Sequence, residues 1–204
     1  MINAVIFDID GTLLDSSSAD EKLYVQAVER VIGRARVRPN LSDYEHVTDT
    51  GILLQLLRDN NVAATGEVIA SIRNEFFALV DAFIVEHGPF PEMPGARALL
   101  ERLRSSDVHE VAIATGGWQR SARSKLRAAG FAVENVPLAS SDDAVDRVGI
   151  MRVALDSIGK ECHTVTYFGD GPWDQRACKD LGWTFRPVGP VLNGLSSFAE
   201  EFVS

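Results

Sequence analysis

The sequence predicts an α/β fold: a Rossmann-like parallel sheet core with an inserted all-helical cap. Three features carry that expectation. The run from Ile2 to Ile9 is apolar, bounded by Asp and Gly, and too short for a helix, which suits a strand buried on both faces. Beyond Gly95, strand and helix signals alternate, as they do where helices cover both faces of a parallel sheet. Between these two parts, residues 16–89 carry helical periodicity and no strand candidate of any strength.

Taken in order, the elements follow from spacing and stop signals. Ser18 and Glu21 have capping-box spacing, and Tyr24, Ala27, Val28 and Val31 recur at i, i+3, i+4 and i+7 before Gly33. Ser42 and Glu45 could box a short helix. Leu53, Leu56 and Leu57 mark the next, broken at Asn60-Asn61, and Ile69, Ile72, Phe76, Val80 and Phe83 a longer one. Gly88 to Gly95 holds three prolines in eight residues, a stiff connector and the best candidate boundary. Then come a helix through Ala96, Leu99, Leu100 and Leu103, a strand from Val111 to Ala114, and a helix from Trp118 to Ala129 stopped by Gly130. A weak strand at Val136 to Ala139 precedes a helix from Val148 to Ile158, stopped by Gly159. A strand from Thr164 to Phe168, a helix from Trp173 to Leu181 and a strand from Trp183 to Val188 complete the chain. The expected division is a core of residues 1–15 and 90–204 with a cap of residues 16–89.

Composition excludes several classes. The 204 residues include 29 Asp and Glu against 20 Lys and Arg, a formal net charge of −9, which argues against a nucleic-acid or anionic-membrane surface. No run approaches the ~18 consecutive apolar residues of a membrane span. Met1 leads straight into the apolar run Ala4 to Phe7, so no leader is expected. Two cysteines, Cys162 and Cys178, make no disulfide framework and suit free thiols in a reducing compartment. A cytoplasmic protein, monomer or homodimer, is expected.

Parallel sheets bind ligands at the carboxyl ends of their strands. The first strand runs into Asp8-Ile9-Asp10-Gly11-Thr12, whose two carboxylates at i and i+2 share a side while the chain is extended. The second runs into Thr115-Gly116-Gly117 ahead of a helix, where a hydroxyl and bare backbone N–H groups suit an anion. The strand ending at Phe168 runs into Gly169-Asp170-Gly171-Pro172-Trp173-Asp174. Each motif alone is a common turn or cap; their coincidence at successive strand ends is not. Four carboxylates on one edge would repel unless a cation joined them, and an all-oxygen donor set favours a hard ion, Mg²⁺.

Asp8-x-Asp10-Gly11-Thr12, an apolar strand ending in Thr115-Gly116, and Gly169-Asp170-x-x-x-Asp174 together resemble the haloacid dehalogenase superfamily. Order and strand context match across essentially the whole chain, and the helical insert resembles that family's α-helical cap, as in phosphoglycolate-phosphatase-like members. The resemblance implies a phosphatase for a small phosphorylated metabolite. It implies Asp8 as nucleophile, Asp10 as general acid and base, and Thr115 with the Gly116 N–H as phosphoryl grips. Mg²⁺ would be held by Asp8, the Asp10 carbonyl and Asp170, with Asp174 holding the ion's waters or sharing in ligation. The family's third motif, normally a lysine, is absent between Leu138 and Gly149. Arg147 stands there, at a helix start near the strand carboxyl ends, and is preferred to Lys160, which follows the terminator Gly159. Lys125 is expected on a solvated helix face.

Asp10 favours ester hydrolysis over dehalogenation. A phosphonatase would want a cap lysine, for which only Lys22 is available, and a phosphosugar mutase would need to shield its aspartyl-phosphate from water. A phospho-accepting signalling domain needs neither Asp10 nor the insert, and a non-catalytic phospho-ligand binding protein needs no full acidic set. The run Arg30, Arg34, Arg36, Arg38 could meet a second anionic group of the substrate or be a solvated helix end. Thr48 to Gly51 is either a substrate-facing loop or an N-capped turn. Trp118 and Trp173 either wall the pocket or pack on the sheet.

Overall fold

A computed structural model describes residues 1–199; the last five residues of the expected core lie outside the described residues. β1 (Asn3–Phe7), β2 (His109–Ala114), β3 (Leu138–Ala139), β4 (Thr164–Gly169) and β5 (Thr184–Pro187) form one parallel sheet in the order β3-β2-β1-β4-β5. The most apolar strand is therefore the central one. Alternate side chains serve opposite faces. Val5 and Phe7 join one buried cluster with Val111, Ile113 and Phe168, while Ile6 joins the other with Ala112, Ala114 and Tyr167. α4 (Ala96–Arg104) and α5 (Gln119–Ala128) cover the first face; α6 (Arg147–Asp156) and α7 (Pro172–Leu181) cover the second. The α/β expectation holds, with the weak strand reduced to Leu138–Ala139.

The register sets the site. Phe7 lies level with Ile113 on one side and Phe168 on the other, so the chain leaves all three strands at the same height. Chain order runs outward from β1 through β2 to β3, then returns to β4 on β1's other flank. That reversal opens a crevice at the carboxyl edge between β1 and β4.

The insert is α1 (Ser17–Ile32), a 3-10 turn (Leu41–Asp43), α2 (Asp49–Asp59) and α3 (Gly66–His87). Its caps differ from those expected. Ser16, not Ser18, caps α1 without a side-chain cap bond, because its hydroxyl donates to Asp10 Oδ1 at 2.5 Å. Asn40 and Asp43, not Ser42 and Glu45, box the 3-10 turn. The insert shares its apolar cluster with the sheet's first face through Trp118, which is fully buried. Trp118 stacks on Tyr24 at 5.6 Å and meets Phe76 and Phe77 edge-on at 5.6 and 5.9 Å. Truncating such an aromatic typically costs about 3–5 kcal/mol, so this one ring is a large part of what holds the insert down. The two connectors also bond to each other, Asp15 N–H to Pro91 O and Met93 N–H to Leu13 O. Among the described residues, no helix is long and apolar enough to cross a membrane.

Candidate active site at the carboxyl edge of the sheet

Asp8 leaves β1 with its N–H on Phe168 O at 2.9 Å, which turns its side chain, 3 % exposed, into the crevice. Asp170 follows β4, and Asp174 sits in the first turn of α7, fully buried, where its carboxylate accepts from Gly171 N–H at 3.2 Å. One carboxylate oxygen from each of Asp8, Asp170 and Asp174 lies within 4.8 Å of the others. The approach of the first loop to the third needs a glycine: Gly11 has φ 76°, and a Cβ there would lie 2.1 Å from Asp170 Oδ2.

Arg147 begins α6 and reaches into the same group. Its Nη1 is 3.3 Å from Asp8 Oδ1, its Nε 3.3 Å from Asp174 Oδ1, and its Nη2 donates to Val47 O of the insert at 3.3 Å. The first two are charge contacts and not aligned hydrogen bonds, so Asp8 Oδ1 and Arg147 Nε and Nη1 are buried without a hydrogen-bond partner. Gly116 gives the guanidinium room, since a Cβ there would stand 2.6 Å from Nη2. Thr115, buried at the end of β2, accepts from Gly117 N–H at 3.1 Å. Lys160 is at the opposite edge, paired with Glu110 near the start of β2.

Burial dominates the electrostatics. It raises the Asp8 carboxyl to about 7 against the pull of Arg147, with Asp174 and Asp10 pushing the same way as burial. Asp170 is raised to about 8 by burial and then by Asp8 and Asp174. Three carboxyls that resist ionising together, one with an unmatched buried oxygen, form a donor set that a hard cation fits.

Asp10 borders the same cavity but stands apart from the three clustered carboxylates. Its Oδ1 accepts from Ser16 Oγ at 2.5 Å and from Lys125 Nζ at 2.5 Å, and Lys125 also reaches Asp20 Oδ1 of α1 at 2.7 Å. The expectation of a solvated Lys125 is therefore wrong: its side chain is 1 % exposed. Two carboxylates compensate its desolvation and raise its pKa despite burial. Asp20 and Ser16 are likewise partners that residue types alone did not reveal. A signal existed for Lys125, which shares the inward register of Ala122 and Leu126 on α5.

Above the acidic group is a cavity of about 150 Å³, bounded by Asp8, Asp10, Thr115, Arg147 and Asp170 below and by α1, α2 and the segment between them above. Thr48 caps α2 by accepting from Gly51 N–H at 3.1 Å, as the N-capped turn requires, and it also borders the cavity. Thr48 and Thr50 also donate to the core carbonyls of Val145 and Ser141, at 2.6 and 2.9 Å. Trp118 packs in the core, whereas Trp173 borders the cavity with its Nε1 buried and unpaired.

A profile of haloacid dehalogenase-like hydrolases matches residues 2–182. No curated protein matches the sequence significantly. Among solved structures, a hydrolase from Pseudomonas syringae is 21% identical, with TM-score 0.71, covering 91% of this chain and 83% of its own. CbbY from Rhodobacter sphaeroides, in complex with phosphate, is 20% identical with TM-score 0.71, covering 99% and 91%. A β-phosphoglucomutase from Clostridium difficile is 16% identical with TM-score 0.73, covering 95% and 87%. At these identities the likeness is one of fold.

Proposed function

Because the chain belongs to the haloacid dehalogenase-like hydrolases, we propose that it is a Mg²⁺-dependent phosphatase of small phosphomonoesters working through an aspartyl-phosphate. The observation that carries this reading is the joining of Asp8, Asp170, Asp174 and Arg147 at the sheet's switch point, with Asp8 Oδ1 unmatched. The phosphate bound to one structural neighbour supports phosphoryl chemistry as well.

In the first half-reaction an Asp8 oxygen attacks phosphorus in line, the P–O bond to the alcohol breaks, and Asp10 gives its proton to the departing oxygen. In the second, water attacks the same phosphorus, Asp10 takes a proton from it, and the bond to Asp8 breaks to release inorganic phosphate. Arg147 offsets the charge of Asp8 and of the entering phosphoryl group, so an anionic nucleophile can approach an anionic ester. Thr115 accepts from Gly117 N–H and has its hydroxyl proton to give to a phosphoryl oxygen, beside the Gly116 N–H. Ser16 and Lys125 orient Asp10. Asp8, the Asp10 carbonyl, Asp170 and Asp174 would hold Mg²⁺, whose charge screens nucleophile and phosphate from each other. Two free cysteines, Cys162 and Cys178, suit a cytoplasmic setting for a monomer or homodimer.

The test is phosphate release from a panel of small phosphoesters, with Mg²⁺ and with EDTA. We expect turnover only with the metal, and a loss on the order of 10⁴-fold or more in Asp8→Asn. Undiminished turnover by Asp8→Asn, or none by the wild type on any ester, overturns the reading. Isomerised sugar phosphate in place of free phosphate would identify a mutase.

A further inference from the structure

The part of the cavity that would receive the alcohol is formed by the insert, and its cations are already taken. Arg38, which borders the cavity, donates from Nε and Nη2 to the two oxygens of Asp59 at 2.7 and 3.1 Å, and from Nη1 to Asp43 O at 2.5 Å. Each guanidinium nitrogen has an acceptor, and the charge is matched by the Asp59 carboxylate. Arg30 of the same basic run pairs with Glu75 on α3 at 2.6 Å. Lys125 is closed off between Asp10 and Asp20. The charged side chains of α1 and α2 that border the cavity, Asp20, Glu21 and Asp49, are acidic.

The polar atoms on this side are matched internally too. Tyr24 OH donates to Asp49 O at 2.6 Å, and Tyr44 OH accepts from Arg38 N–H at 3.1 Å. Asp49 Oδ2 accepts from Trp118 N–H at 2.9 Å. Apart from the Ser17 hydroxyl, the rest of the insert's lining is apolar: Val25, Val37, Leu41, Ile52 and Leu56 among them. On the insert side a second phosphate or a carboxylate on the substrate would lose its water, meet no cation that lacks a carboxylate partner, and stand against carboxylates. An uncharged group meets none of these costs.

Resting on the phosphatase reading, we infer that the substrate is the phosphomonoester of an uncharged, largely apolar alcohol, and that the Arg38–Asp59 pair excludes esters carrying a second anion.

Benzyl phosphate and its 4-carboxy derivative share a reacting centre and differ in one charge. Their kcat/KM values, measured with Mg²⁺ on the wild type, are expected to favour the neutral ester by about tenfold or more. Asp59→Asn, at a position outside the cavity, removes the charge that neutralises Arg38. It should narrow the ratio by about threefold, through a lower KM for the carboxylated ester with the neutral one unchanged. A wild-type ratio near one or reversed, or a ratio unmoved in Asp59→Asn, overturns the inference. No turnover of either ester, or of any in the wider panel, overturns the phosphatase reading together with it.

Discussion

Around one cavity, the sheet edge leaves Asp8 Oδ1 and two nitrogens of Arg147 without a hydrogen bond, whereas the helical insert gives each guanidinium nitrogen of Arg38 an acceptor on Asp59 or Asp43. Both walls are rich in charge, so abundance does not distinguish them. What differs is satisfaction. Buried polar atoms left unmatched cost free energy, and a fold retains them where a ligand completes them. On the proposed reading, a cation and a phosphoryl group complete the sheet edge. The insert, with its charges matched internally, is suited to excluding second charges. Lys125 joins the two, reaching Asp10 of the sheet edge and Asp20 of α1.

The comparison can be broken hardest at that joint. Lys125→Met leaves Asp10 and Asp20 facing each other without their cation, and should cost about 3–5 kcal/mol of stability. At about 2–4 °C per kcal/mol for a chain of this size, thermal unfolding should show a fall of roughly 10 °C. Adding Asp20→Asn should recover part of it; no recovery would mean that the pair does not carry the loss. Arg147→Ala comes next, with an expected fall in kcat of about 10²–10³-fold, against little change for Lys160→Ala. A greater loss at Lys160 would reverse the assignment of the third-motif cation.

The smallest effect is a pH-dependent one. The folded-state pKa values of Asp8 and Asp170, about 7 and about 8, lie above the ordinary 3.8, so the folded protein holds these protons more tightly than the unfolded chain. Their contribution to stability is full below about pH 4 and is lost as pH rises through 7 to 8. Mg²⁺ would bind the ionised pair, so its stabilisation should grow across the same window. At about 100 times its dissociation constant it is worth about 2.7 kcal/mol, roughly 5–10 °C at pH 8.5, and less at pH 6. Equal shifts at both pH values would remove protonation of these carboxyls from the account.

The sheet was legible because parallel strands buried on both faces leave continuous apolar runs, and glycines stop the helices between them. The sheet-edge residues were legible for a related reason: Asp8, Thr115 and Asp170 each follow a strand directly, and strands in register end together. Arg147 was legible from its place at a helix start. The insert was less so. Its helices were apparent from periodicity, yet which side chain caps which turn was not, because Ser16 and Asn40 have competitors nearby in sequence. Lys125 was misread because a lysine alone on a helix costs least in water, and only a partner justifies burying it.

By itself, then, the sequence determined the elements, the sheet edge and the chemical types gathered along it, since these depend on local pattern and on the shared height of neighbouring strands. Only the tertiary structure decided which charges remain open. Arg38 and Asp59 lie 21 positions apart, and Lys125 lies 105 and 115 positions from its two partners. Pairing at such separations depends on how α1, α2 and α5 pack, and desolvation makes the energy of each charge depend on the partner that packing supplies.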